Sequence, residues 1–111
     1  MRMLVKVTIP VAEGNAAVLE GSLGSTMGSI LGDLKPEAVY FAEENGARTG
    51  FIFVNLEKES QIPAMAEPFF LAFNAKVEIH PAMNLEDLKN SASGMESAAR
   101  KYARKPRAAG A

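Results

Sequence analysis

At 111 residues, with 48% hydrophobic and 23% charged side chains, the chain has room for one domain and one core, and its composition excludes wholesale disorder. The absence of cysteine excludes a disulfide framework, a thiolate metal site and a cysteine nucleophile. The net charge of −1 conceals an asymmetry: residues 1–97 carry seven cations and thirteen anions, whereas the last fourteen residues carry five cations and no anion.

No run approaches the roughly 18 consecutive apolar residues that span a bilayer. The opening Met1-Arg2-Met3-Leu4-Val5-Lys6 meets charge too early for a signal peptide, so a cytoplasmic protein is expected. A chain of this size buries only about 65% of the surface it exposes when unfolded, so dimerisation would add stability.

Along residues 3–9, Val5, Val7 and Ile9 alternate with Lys6 and Thr8, which predicts a first strand ended by Pro10. From about Glu13 to Leu34 the residues Leu19, Leu23, Met27, Ile30, Leu31 and Leu34 recur at spacings of three and four, predicting one helix. Four internal glycines, Gly21, Gly24, Gly28 and Gly32, weaken that helix by up to about 1 kcal/mol each, and close packing on a sheet is their expected role. Lys35-Pro36-Glu37 ends the segment, since the residue before a proline avoids helical geometry.

Ala38–Glu44 and Ala47–Leu56 are rich in β-formers and flank Asn45-Gly46, the pair preferred in a two-residue hairpin turn. With that loop, Glu44 faces Ala47, Glu43 faces Arg48 as an attractive pair, Ala42 faces Thr49, Phe41 faces Gly50 and Tyr40 faces Phe51. A second helix is expected after Glu59-Ser60, with Pro63 in its first turn, running to about Phe73 and kinked or split at Pro68. Residues 75–80 alternate as a fourth strand, and Asn84 caps a final helix with Glu86 and Asp87 in its first turn.

This order predicts an α+β fold: ferredoxin-like βαββαβ, with a four-stranded antiparallel sheet, both helices on one face and an extra C-terminal helix. Residues 1–90 form the expected domain, and 91–111 a helical extension with a basic tail. By strand parity, Val5, Val7, Ile9, Val39, Phe41, Ile52, Val54, Val77 and Ile79 face the helices. Lys6, Thr8, Tyr40, Phe51, Phe53, Asn55, Lys76, Glu78 and His80 form the opposite, mixed face. Its aromatic centre calls for a cover, and the same face of a second copy supplies one that closes on itself.

The strand pattern, together with Ile62-Pro63, Glu67-Pro68-Phe69-Phe70, Val77–His80, Pro81-Ala82-Met83-Asn84 and Glu86-Asp87-Leu88, resembles small uncharacterised bacterial members of the dimeric α+β barrel superfamily. The resemblance covers roughly residues 2–89 and implies two ferredoxin-like sheets packed face to face as a homodimer. That superfamily includes cofactor-free monooxygenases, muconolactone isomerase, haem-linked enzymes and many proteins without an assigned role. No catalytic motif of a characterised member is matched, so the resemblance transfers no functional residue.

His80 is the only histidine, the natural candidate for general acid–base work, and Glu78 shares its face and could orient it. Lys6 is expected beside Glu78 as an ion pair, and Tyr40 is a proton donor or an interface anchor. If Lys6, Tyr40, Glu78 and His80 converge, they are competent to abstract a proton from a carbon next to a carbonyl. The plainer readings are a strand-end histidine in a polar cluster and an interface tyrosine. A single histidine without spaced partners predicts no metal site, and neither GxxxxGK[ST] nor GxGxxG occurs, so no cofactor is expected.

Met65, Phe69, Phe70 and Phe73 have helical spacing, suited to the core or to lining an apolar ligand pocket. The tail cations Arg100, Lys101, Arg104, Lys105 and Arg107 could meet nucleic acid or an anionic membrane, but they also suit a solvated helix C-terminus. An acidic body without an aromatic-studded basic groove does not favour nucleic acid. Two functions stand foremost. One is a cofactor-independent enzyme of isomerase or monooxygenase type, acting on a small, partly apolar molecule at a dimer-linked pocket. The other is a non-catalytic dimeric module that binds a small ligand or regulates a partner.

Overall fold

A computed structural model of the chain describes residues 1–104. The elements are β1 (Arg2–Ile9), α1 (Val11–Glu20), α2 (Leu23–Leu34), β2 (Ala38–Glu44), β3 (Ala47–Asn55), a 3-10 turn at Glu59–Gln61, α3 (Ile62–Phe73), β4 (Lys76–Pro81), α4 (Leu85–Asn90) and α5 (Ala92–Tyr102). The strands form one antiparallel sheet in the order β2-β3-β1-β4, an α+β arrangement compatible with a ferredoxin-like fold. Among the described residues no helix is long and apolar enough to cross a membrane. Lys105 and Arg107 of the basic tail lie outside the described residues.

The β2–β3 hairpin has the register that its turn predicts, from Glu44 opposite Ala47 to Tyr40 opposite Phe51. Asn45 and Gly46 both take positive φ, 52° and 78°, as the tight turn requires. Glu43 and Arg48 are opposite in register but bond elsewhere. Glu43 accepts the Gly46 N–H at 3.0 Å, and Arg48 donates to Asn15 Oδ1 at 3.2 Å.

The single helix expected over 13–34 is two helices. Gly21 adopts the left-handed conformation (φ 74°), its N–H reaches the Val18 carbonyl, and the Ser22 N–H reaches the Ala17 carbonyl. This pair of bonds is the Schellman closure, which satisfies the last carbonyls of α1 and turns the chain before α2 begins. Conversely, Pro68 neither splits nor ends α3. Its missing N–H removes one bond, to the carbonyl of exposed Ala64, while Met65, Ala66, Phe69 and Phe73 hold the helix on the sheet from both sides of the proline. The final helix is also divided, with Ser91 at the junction of α4 and α5. At its start Asn84 accepts the Asp87 N–H and Asp87 accepts the Asn84 N–H, the expected cap in reciprocal form.

The core lies between the sheet and α1, α2 and α3. Val5, Val7, Ile52 and Phe69 are fully buried, joined by Met27, Ile30, Val54, Met65 and Phe73. Of the aromatic stripe on α3, Phe69 and Phe73 face this core, whereas Phe70 is exposed. Truncation of Phe69 removes a ring from close packing and leaves a cavity. Phe69→Ala is expected to cost about 3–5 kcal/mol, and Phe70→Ala less than about 1 kcal/mol. Urea unfolding of the two variants against the parent chain checks the contrast.

Candidate functional site

On the mixed face, β1 sets Lys6 between Glu78 of β4 and Phe51 of β3, and Phe51 faces Tyr40 of β2. Glu78, Lys6, Phe51 and Tyr40 therefore form one row across the sheet, and His80 stands in the next row, opposite Leu4. Lys6 and Glu78 are neighbours as expected, yet the Lys6 ammonium bonds to Glu44 at the far edge of the sheet. In register this pair crosses β3 over Thr49, a buried polar residue whose hydroxyl donates to the Ala47 carbonyl at 3.1 Å. Glu78 is left to Lys76, at 3.4 Å, and to His80 Nε2, at 3.8 Å.

The structure thus gathers Lys6, Glu78 and His80 but not Tyr40. Three strand spacings, about 14 Å, separate Tyr40 from Glu78. No reacting atom of a small substrate lies within hydrogen-bond reach of both in a single chain. His80 is mostly exposed, and Tyr40 is 67% exposed. The face as a whole is open: Leu4, Phe51 and Phe53 are only half-buried, because all helical cover of the sheet lies on the other side.

That other side holds a feature that sequence reasoning missed. A cleft of about 580 Å³ opens between α2 and the hairpin end of the sheet. Leu23, Met27 and Leu31 of α2 form one wall, and Ile9, Phe41 and Gly50 of the strands form the other. Phe41, expected beneath the helices, is 59% exposed, whereas Val39, two residues earlier on the same face of edge strand β2, packs against the core. Its ring lies over Gly50, where an added methyl would meet it at 3.3 Å.

Gly24 and Gly28, one turn apart on α2, also line the cleft, and a methyl built on either meets nothing within 4 Å. The close packing expected of these glycines is absent; they leave space rather than remove a clash. The charged residues of the lining are Glu43 and Arg48, both already engaged as described above. Arg48 also lies against α1 so closely that a methyl at Gly14 would fall 2.6 Å from its guanidinium. The sequence signal for the cleft was the four-residue glycine spacing on a face otherwise made of Leu23, Met27 and Leu31. Compared with known proteins, the chain matches no family model and no curated protein.

The bond to Glu44, the larger cause, raises the Lys6 ammonium above its ordinary 10.5, against a smaller lowering by desolvation. A raised folded-state value stabilises the fold fully below the unfolded pKa and is lost as pH rises through the folded one. Glu44→Gln is therefore expected to lower the melting temperature at pH 8, with the gap to the parent chain closing as the pH rises past the ordinary lysine value of 10.5. Thermal melts across that range measure it.

Proposed function

We propose that the chain is a homodimeric small-ligand-binding module of ferredoxin-like, dimeric α+β barrel type, and that its ligand is a small, largely apolar organic molecule seated in the cleft between α2 and the hairpin. The carrying observation is the cleft itself, apolar on both walls and held open by two glycines whose added methyls would meet nothing. Its volume falls within the range of small-molecule pockets. Homodimerisation through the mixed face is supported by the half-buried Leu4, Phe51 and Phe53 beside exposed Tyr40, on the side of the sheet away from α1, α2 and α3.

The rival reading, a cofactor-independent isomerase or monooxygenase built on Lys6, Tyr40, Glu78 and His80, requires the second copy to close a pocket over that face. The cleft favours binding over catalysis, because none of those four groups lines it.

The binding test uses 1-anilinonaphthalene-8-sulfonate as an apolar probe of the native protein. Gly28→Leu fills the cleft while improving helix propensity by up to about 1 kcal/mol. It is expected to reduce probe affinity at least tenfold without lowering the melting temperature. Equal affinity in a folded variant would remove the cleft as the binding site. For the assembly, light scattering is expected to give twice the chain mass, and Phe51→Glu the chain mass. A dimer that tolerates Phe51→Glu would place the interface elsewhere.

A further inference from the structure

The C-terminal arm, α4 and α5, is the least accounted-for part of the molecule. The described residues have a radius of gyration of 19.7 Å and extents of 65 × 36 × 21 Å, whereas a compact domain of 100 residues has a radius of about 13 Å. α5 contains no buried residue. Its Met95 and Tyr102 are 52% and 73% exposed, and Leu88 of α4 is 43% exposed. Ala92, Met95, Ala99 and Tyr102 of α5 recur at spacings of three, four and three, the seam that one helix offers to another, and Leu88 of α4 lies four residues before Ala92 across the Ser91 junction. The alanines let two backbones approach closely.

We infer that this arm pairs with the arm of a second copy, antiparallel, with Met95 at the two-fold axis. Direction follows from charge. The arm begins with Glu86 and Asp87 followed by Lys89, a net charge of −1, and ends, within the described residues, with the three cations Arg100, Lys101 and Arg104. Parallel pairing sets these cations beside their own copies. Antiparallel pairing about Met95 instead sets this cationic end beside the net-negative start of the second copy, with Arg104 facing its Glu86 although Lys101 faces its Lys89, and opposes the two helix dipoles. An anionic membrane is a poorer occupant, because residues 1–84, ahead of the arm, carry ten anions against six cations and the arm has no tryptophan or phenylalanine to insert.

The arm is also rooted on the open face of the sheet. Asp87 accepts from Arg2 at 3.2 Å, and Arg2 shares the mixed face with Leu4 and Lys6. A helix of 11 residues is only about 16 Å long, and two such helices bury less than the roughly 1,200 Å² of a stable interface. The paired arms therefore reinforce the sheet-face dimer, and the inference rests on that reading.

The lack of native cysteine makes cross-linking a clean test on the full chain. Under mild oxidation, Met95→Cys is expected to form a covalent dimer at least tenfold faster than Ser97→Cys, which lies off the seam. Leu88→Cys mixed with Tyr102→Cys is expected to give the mixed dimer faster than either variant alone. Rates for Met95→Cys no greater than for Ser97→Cys overturn the pairing. Faster homodimers of Leu88→Cys and of Tyr102→Cys overturn its direction. All four positions are exposed in the single chain, so these variants retain the fold, checked by circular dichroism. Failure of the sheet-face reading is seen separately, as an unchanged mass for Phe51→Glu. A parent chain that stays monomeric overturns both.

Discussion

Val5 and Val7 are sealed from solvent while Leu4, Lys6 and Thr8, their neighbours on the same strand, remain half-exposed. Central strand β1 can be so one-sided because α1, α2 and α3 are all spent on a single face of the sheet. Burial of one face at about 25 cal/mol per Å² of apolar surface must offset the ordering of the whole chain. This explains why the core residues there are packed so completely. Among the described residues the same allocation leaves the other face, with its aromatic centre, without the cover of α1, α2 or α3.

Uneven cover within the helical layer has a second consequence. α1 stops at Gly21 and α2 begins after it, and the layer covers β1, β3 and Val39 of β2 but leaves the hairpin end of β2 exposed. An edge strand with Phe41 in it is thereby left beside Leu23, Met27 and Leu31 with a gap between. The two faces of the sheet offer different chemistry as a result. The cleft has apolar walls and charges already bonded to the protein, so it rewards burial of a hydrophobic body. A ligand burying about 200 Å² of apolar surface there gains on the order of 5 kcal/mol before association costs are subtracted. The mixed face holds Lys6, Glu78 and His80 in water, where salt and solvent weaken each interaction.

Strand positions and the hairpin register were legible in the sequence because both depend on local rules: alternation of Val5, Val7 and Ile9, and the positive φ values that Asn45 and Gly46 accept. The face assignment followed from the same period of two. What was not legible depended on competition. The spacing of Leu19 through Leu34 suits one long helix, but Gly21 offers a left-handed cap that closes the end of α1, and the cap wins. Pro68 would break an isolated helix, but the buried residues on either side of it outweigh one lost bond. The Lys6 partner was misjudged because register identifies the nearest carboxylate, Glu78, whereas a flexible lysine stem reaches Glu44 across a strand. The cleft was missed because glycine spacing reads the same whether a backbone comes close or stays away.

Gly24 and Gly28 connect these observations. Each weakens α2 by close to 1 kcal/mol relative to alanine, and neither recovers that loss through contact, since an added methyl would meet nothing. In a domain of this size, with total stability of about 5–15 kcal/mol, such a loss is a substantial share. A single chain that keeps this space and also leaves an aromatic sheet face and a helical arm uncovered is under-stabilised on three counts. In the proposed dimer a second copy would relieve two of them at once, covering the face and pairing the arm, while the cleft, on the opposite side of the sheet, would stay open to a ligand. Stability drawn from such an assembly would free α2 from having to pack well, which is the condition under which a cleft can persist in so small a core.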